Sequence, residues 1–371
     1  GALNEEENLD NLIADLTKDV LQKNESDVRA TLPIASYTSS QVVTFGVNRG
    51  KNKLEMKNEN KYDVADFVVK LTVKIPDNHD LSISNKYHDL TLDSYSGRVR
   101  ADIYNAKLSL GVIGGDADVN VKYGSIQIGI AREININLYD SKLTLEKAAG
   151  LKLNTKYSRV KIGEVRELNI NSFDDEISVE SNLDMLSYSS KYSSIHCQNI
   201  EKLKASMYDD HLEAKSITEA SISAKYTSIQ ADKISRISMS SSYDNSFSCG
   251  TVGLMKVSDS KYSSYKIDLI TNSLTTYSHD DTWKVKALEN EVASFNVSAK
   301  YGSVDVGFNK ELAHIIRYEG KCGDFDYPNI DYTTEKSEVV DGEKRLILKS
   351  GSGKAAFNFR VYCTNIHVSL N

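Results

Sequence analysis

The chain has 371 residues, 40% of them hydrophobic and 26% charged, with a net charge of −7. That is enough apolar material for a large core, and lysine and arginine are dispersed without a patch or stripe, which argues against a nucleic-acid partner. No apolar run approaches the length of a membrane span, and no signal peptide is visible.

Residues 1–45 open the chain. Gly1 reads as a cloning scar, consistent with removal of a leader. Leu9, Leu12, Ile13, Leu16, Val20 and Leu21 recur at helical spacing, with acidic residues early and Lys18 and Lys23 late, as a helix dipole favours. This N-terminal segment reads as a helix capping the fold, a linker to an anchor, or disordered chain.

Residues 46–306 are dominated by a repeat. One apolar column runs Leu108, Ile126, Leu143, Val160, Ile177, Ile195, Leu212, Ile229, Phe247, in steps of seventeen or eighteen residues. A second column, two residues later, runs Leu110, Ile128, Leu145, Ile162, Val179, Cys197, Ala214, Ala231, Cys249. Three more follow at offsets of five, eight and ten, seen in one unit as Val165, Leu168 and Ile170. Fixed-period similarity of this kind means stacked small units, none able to bury its apolar face alone. Apolar residues two apart are short alternating strands, and the wider gaps are corners. The position between the first two columns stays polar: Gln127, Thr144, Lys161, Ser178, His196, Glu213, Gln230, Ser248, Lys266. It faces outward. No proline lies between Pro76 and Pro328, as expected where every backbone donor is used. The fold class is therefore all-β, a single-stranded parallel β-solenoid, taken as right-handed.

Alternate units share a Lys-Tyr corner: Lys86-Tyr87, Lys122-Tyr123, Lys156-Tyr157, Lys191-Tyr192, Lys225-Tyr226, Lys261-Tyr262, Lys300-Tyr301. The units between read Tyr104-Asn105, Tyr139-Asp140, Phe173-Asp174, Tyr208-Asp209, Tyr243-Asp244. A coil of thirty-five residues would stack Lys on Lys and Asp on Asp. A coil of seventeen or eighteen alternates Lys with an aromatic in one column and Tyr with Asp in the next, and is preferred.

Residues 307–371 lose the repeat and carry hairpin signals, Asp341-Gly342 before Leu346-Ile347-Leu348 and Gly351-Ser352-Gly353 before Phe357-Asn358-Phe359. A C-terminal antiparallel cap over the last coil is expected, because a bare solenoid edge invites aggregation. Cys197 and Cys249 share an interior column three coils apart, too far to bond. Cys322 and Cys363 lie in the cap, and the sequence leaves their pairing open.

Candidate chemistry is sparse. Histidines at 79, 88, 196, 211, 279, 314 and 367 show no metal or triad spacing and read as solvated surface residues. Gly114-Gly115-Asp116-Ala117-Asp118 reads as a protruding loop, lacking the context of a phosphate loop or calcium roll. Asp174, Asp175 and Glu176 on one coil and Asp209 and Asp210 two coils on invite comparison with the paired acids of β-helix glycosidases. The acidic corner recurs at Asp140, Asp244 and Asp280-Asp281, however, and a feature of every second coil reads as architecture. No catalytic, cofactor-binding or metal residue is assigned.

Asn120-Val-Lys-Tyr-Gly-Ser-Ile-Gln-Ile128 and Ser298-Ala-Lys-Tyr-Gly-Ser-Val-Asp-Val306 resemble the strand repeats of the head-GIN-like adhesin family of bacterial envelope proteins, over about residues 65–310. The resemblance implies an exported or cell-surface β-solenoid and carries no catalytic residues. The expectation is a non-enzymatic scaffold in the periplasm or at the cell surface, with a glycan or another envelope protein as partner. The alternative is a pectinase-like, polysaccharide-active β-helix enzyme.

Overall fold

The computed structural model describes residues 79–371 and the backbone of four earlier strands, Gln22–Asn24, Asp27–Arg29, Ser39–Asn48 and Lys51–Asn60. The residues of the expected N-terminal helix lie outside the described part, apart from the backbone of Gln22 and Lys23, which is strand. No helix occurs among the described residues, so none is long and apolar enough to cross a membrane. The chain divides into two compact units, Gly1–Val165 and Arg166–Asn371, and each is a stretch of parallel β-solenoid.

In the first unit the hairpin Ser39–Asn48 with Lys51–Asn60 is antiparallel, and its second strand pairs in parallel with Asp80–Lys86. Parallel stacking continues through Val99–Tyr104, Ala117–Lys122, Ser125–Tyr139 and Lys142–Lys156. From Asp80 on, register steps in this unit are seventeen or eighteen residues, as in Val99↔Ala117 and Ser125↔Lys142, so the shorter coil is the correct one.

In the second unit Ser194–Tyr208, His211–Lys225, Ser228–Tyr243, Ser246–Lys261 and Ser264–His279 lie directly on one another. Each is a single bent strand of 15 or 16 residues rather than a chain of short strands with corners. The bends fall where two outward residues separate inward ones. Cys197, Ile200 and Leu203 point in, while Gln198, Glu201 and Lys202 stay out. Hydrogen bonding to the neighbouring coil continues around such bends. The predicted columns are buried throughout. Ile195, Leu212, Ile229, Phe247, Tyr265 and Trp283 stack in register at 1% exposure or less. Each fully buried aliphatic side chain in such a column contributes roughly 1.5–3 kcal/mol.

The C-terminal segment is antiparallel about the first of the two turn signals, but not about Gly351-Ser352-Gly353. Thr333–Val340 and Glu343–Ser350 form a hairpin about Asp341-Gly342, both with positive φ (53° and 78°), and Glu343–Ser350 also pairs antiparallel with His314–Lys321. The last two strands differ from that pattern. Ala355–Tyr362 slots in parallel between Ser294–Lys300 and His314–Lys321, and Asn365–Leu370 between Ser303–Phe308 and Phe325–Asp326. The chain end thus inserts one more coil beneath the hairpin. Phe357 and Phe359, at 0% and 2% exposure, supply its core.

Candidate functional site

Each coil turns once at a residue with left-handed backbone. In the first unit these are Tyr87, Asn105, Tyr123, Asp140 and Tyr157; in the second they are Asp174, Tyr192, Asp209, Tyr226, Asp244, Tyr262, Asp280 and Tyr301. Turn amides on both units donate to the next coil, as from Tyr123 to the Tyr139 carbonyl at 3.0 Å, from Tyr226 to the Tyr243 carbonyl at 2.9 Å and from Asp244 to Lys261 at 2.8 Å. Asn and Asp tolerate this conformation, whereas a bulky side chain there costs roughly 1–2 kcal/mol. Seven tyrosines sit in it nonetheless, at φ between 55° and 67°.

What offsets that cost is a row of rings in each unit. When the turn residue is Tyr, its ring joins the row; when it is Asp or Asn, the aromatic one position earlier does. In the first unit Tyr87, Tyr104, Tyr123, Tyr139 and Tyr157 meet edge to face, with centroids 5.5–5.8 Å apart. In the second unit Phe173, Tyr192, Tyr208, Tyr226, Tyr243 and Tyr262 do the same at 5.4–5.8 Å, and the row continues through His279 and Tyr301 to Tyr362. Each such pair is worth about 0.5–1.5 kcal/mol beyond area burial. The rings remain accessible: Tyr226 is 43% exposed and Tyr262 51%.

Lysines fill the gaps. Lys191, Tyr208, Lys225, Tyr243, Lys261, His279 and Lys300 are register neighbours, the alternation expected from the shorter coil. In the first unit Lys86 reaches over the Tyr104 ring at 5.7 Å. Positive charges therefore alternate with rings, and the adjacent turn column supplies the acids Asp174, Asp209, Asp244 and Asp280.

Behind the row runs a buried polar column that the sequence reading left out. In the second unit it holds Asp175, Ser193, Asp210, Thr227, Asn245, Ser263 and Asp281, all at 5% exposure or less. Asp210 accepts from the Ser193 amide at 2.7 Å, the Tyr208 amide at 2.7 Å and the Ser190 hydroxyl at 2.7 Å. Asp175 accepts from the Phe173 amide and the Ser172 hydroxyl. Burial pushes the carboxyls of Asp210 and Asp281 above the ordinary range. Of the five predicted acids, Asp175 and Asp210 are thus buried turn caps, while Asp174, Glu176 and Asp209 are exposed. The acids repeat along the coils rather than gathering in one cleft.

Two expectations are corrected. Gly114-Gly115 does not protrude: a Cβ on Gly115 would lie 2.4 Å from the Gly97 carbonyl oxygen, so glycine here permits close stacking of neighbouring coils. Asp116 and Asp118 pair with Arg98 and Arg100 of the coil before, at 3.6 and 4.0 Å. His314 is not a surface residue. It is fully buried, within hydrogen-bond distance of the Leu312 carbonyl (2.6 Å) and the Tyr332 hydroxyl (3.1 Å), and stacked on Phe357; burial holds its imidazole below the ordinary range.

Among the described residues one group of three, His196, His211 and Glu213, offers metal donors within 4.8 Å of one another. His196 and Glu213 were already neighbours in the outward polar column. A groove of about 600 Å³ beside the C-terminal hairpin carries Arg317, Arg345 and Arg360, the last two paired with Glu319 at 3.4 and 3.1 Å. Cys197 and Cys249 are free and buried, their thiols pushed up to about 12 by burial. Cys322 and Cys363 form a disulfide between two left-handed turn positions, with Cα atoms 4.5 Å apart. No family model, curated protein or solved structure matches this chain.

Proposed function

We propose that this protein is a non-enzymatic β-solenoid of the bacterial cell envelope, exported to the periplasm or cell surface, and that it holds a repeating polymer along its aromatic row. The observation that carries the reading is the repetition of one accessible ring per coil within each unit, in alternate coils at a backbone position where tyrosine is intrinsically costly. Strain retained at many equivalent positions points to use of the side chain displayed there. Charges of both signs alternate beside the rings, so contact must come from ring surfaces, hydroxyls and lysine hydrogen bonds rather than a net field. A glycan, with apolar ring faces and many hydroxyls at regular spacing, has the matching chemistry. The Cys322–Cys363 disulfide supports export, because such bonds persist in oxidising compartments. The resemblance of the Lys-Tyr-Gly-Ser strands to envelope adhesins points the same way.

The test is incubation with pectic, host-type and bacterial glycans, reading both retention and products. Retention of a polymer with no new reducing ends or unsaturated products is expected. Product formation that Asp174→Asn or Asp209→Asn alone abolishes would replace this reading with a polysaccharide-cleaving one.

A further inference from the structure

The second unit places two histidines and a carboxylate on one outward face of adjacent strands. His196 in Ser194–Tyr208 lies directly opposite Glu213 in His211–Lys225, and His211 is opposite Ser194. Residues two apart on a strand share a face, so His211 and Glu213 project together beside His196. His196 Nδ1 is 2.9 Å from Glu213 Oε2, His211 Nε2 is 3.9 Å from the same oxygen, and the imidazole centroids are 5.7 Å apart. A tetrahedral zinc ion with bonds of about 2.0–2.1 Å sets its donors about 3.3 Å apart. The three donors already bracket that spacing. All three side chains are partly exposed, between 38% and 49%, so small rotamer changes complete the closure without disturbing the core.

The surroundings favour a cation. A cavity of about 450 Å³ beside His196 and Glu213 is also lined by the carboxylates Glu180 and Asp232, against a single ammonium, Lys215. Two imidazoles with one carboxylate is a donor set for borderline divalent ions, zinc, nickel and copper, whereas calcium and magnesium require oxygen ligands. Cys197 is buried on the inward face, opposite to His196, so sulfur does not reach the site.

We propose that His196, His211 and Glu213 bind one divalent transition-metal ion of the zinc class, leaving a fourth position open to water or to an oxygen of a bound molecule. The site shares no residue with the aromatic row and does not depend on it. Zinc titration by calorimetry on the full chain tests this, comparing the native protein with the His196→Ala/His211→Ala double variant. Both replaced side chains are outward, and unchanged far-ultraviolet circular dichroism verifies the fold. The expected result is one zinc ion fewer per chain in the double variant, with Glu213→Gln weakening that ion at least about tenfold. Equal zinc stoichiometry and affinity in the native and double-variant proteins, or no zinc binding by the native chain at 100 µM zinc, overturns the proposal. So does displacement of the ion by equimolar calcium.

Discussion

The chemistry of the turn is decided residue by residue, and the buried column behind it shows how. Asp210 satisfies two amides and a hydroxyl, so Asp210→Ala leaves three donors without an acceptor and should cost roughly 3 kcal/mol. Asn245 occupies the equivalent place two coils on, where its Oδ1 accepts from the Thr227 amide at 2.9 Å, so Asp210→Asn is compatible with the fold. The carboxyl of Asp210 is raised by burial, so the native state keeps its proton to higher pH than the unfolded chain. Its contribution to stability is therefore full below the unfolded value of about 3.9, and is lost as pH rises through the raised native one. Denaturant unfolding followed as pH rises from about 4 should show a shallower decline for Asp210→Asn than for the native protein. A steeper decline would contradict the assignment.

At the scale of the element, coils such as Ser194–Tyr208 are one long bent strand with a single left-handed turn, others such as Arg159–Glu164 with Glu167–Phe173 keep the expected short strands, and the interior is inert. Cys197 and Cys249 stand in the same column, separated by Ala214 and Ala231. Both should resist thiol reagents in the native state and react once the protein is unfolded. Prompt labelling of either in the native protein would mean that the second column faces water. Much of this element was legible, because inward columns of Leu, Ile, Val and Ala keep their register through the bends. The continuous strand was not. Gaps of two outward residues look like corners in a sequence, and only hydrogen bonding along the stack shows that the strand continues through them. The polar column at Asp175, Ser193, Asp210 and Thr227 was missed for a related reason: hydroxyl and carboxyl side chains read as outward unless their backbone partners are visible. The C-terminal insertion of Ala355–Tyr362 was also hidden, since nothing local marks a strand that returns between two earlier ones.

For the molecule as a whole, the repeat gave the solenoid and its coil length, but the ring row emerged only from stacking. The ring row hops between two sequence columns, from Tyr226 at a turn to Tyr243 one position before a turn, so neither column alone reveals it. His196 and Glu213 stood side by side in the outward polar column. His211 joined them only through its pairing with Ser194. The central claim is that many equivalent rings, rather than one pocket, hold a repeating polymer. It is tested most directly by measuring the affinity of a graded series of oligosaccharides from whichever glycan the protein retains. Binding through repeated contacts should strengthen at least about tenfold from a single sugar to an oligomer spanning several coils, as linked contacts add. A single sugar binding as tightly as the polymer would place recognition in one local pocket and contradict the account.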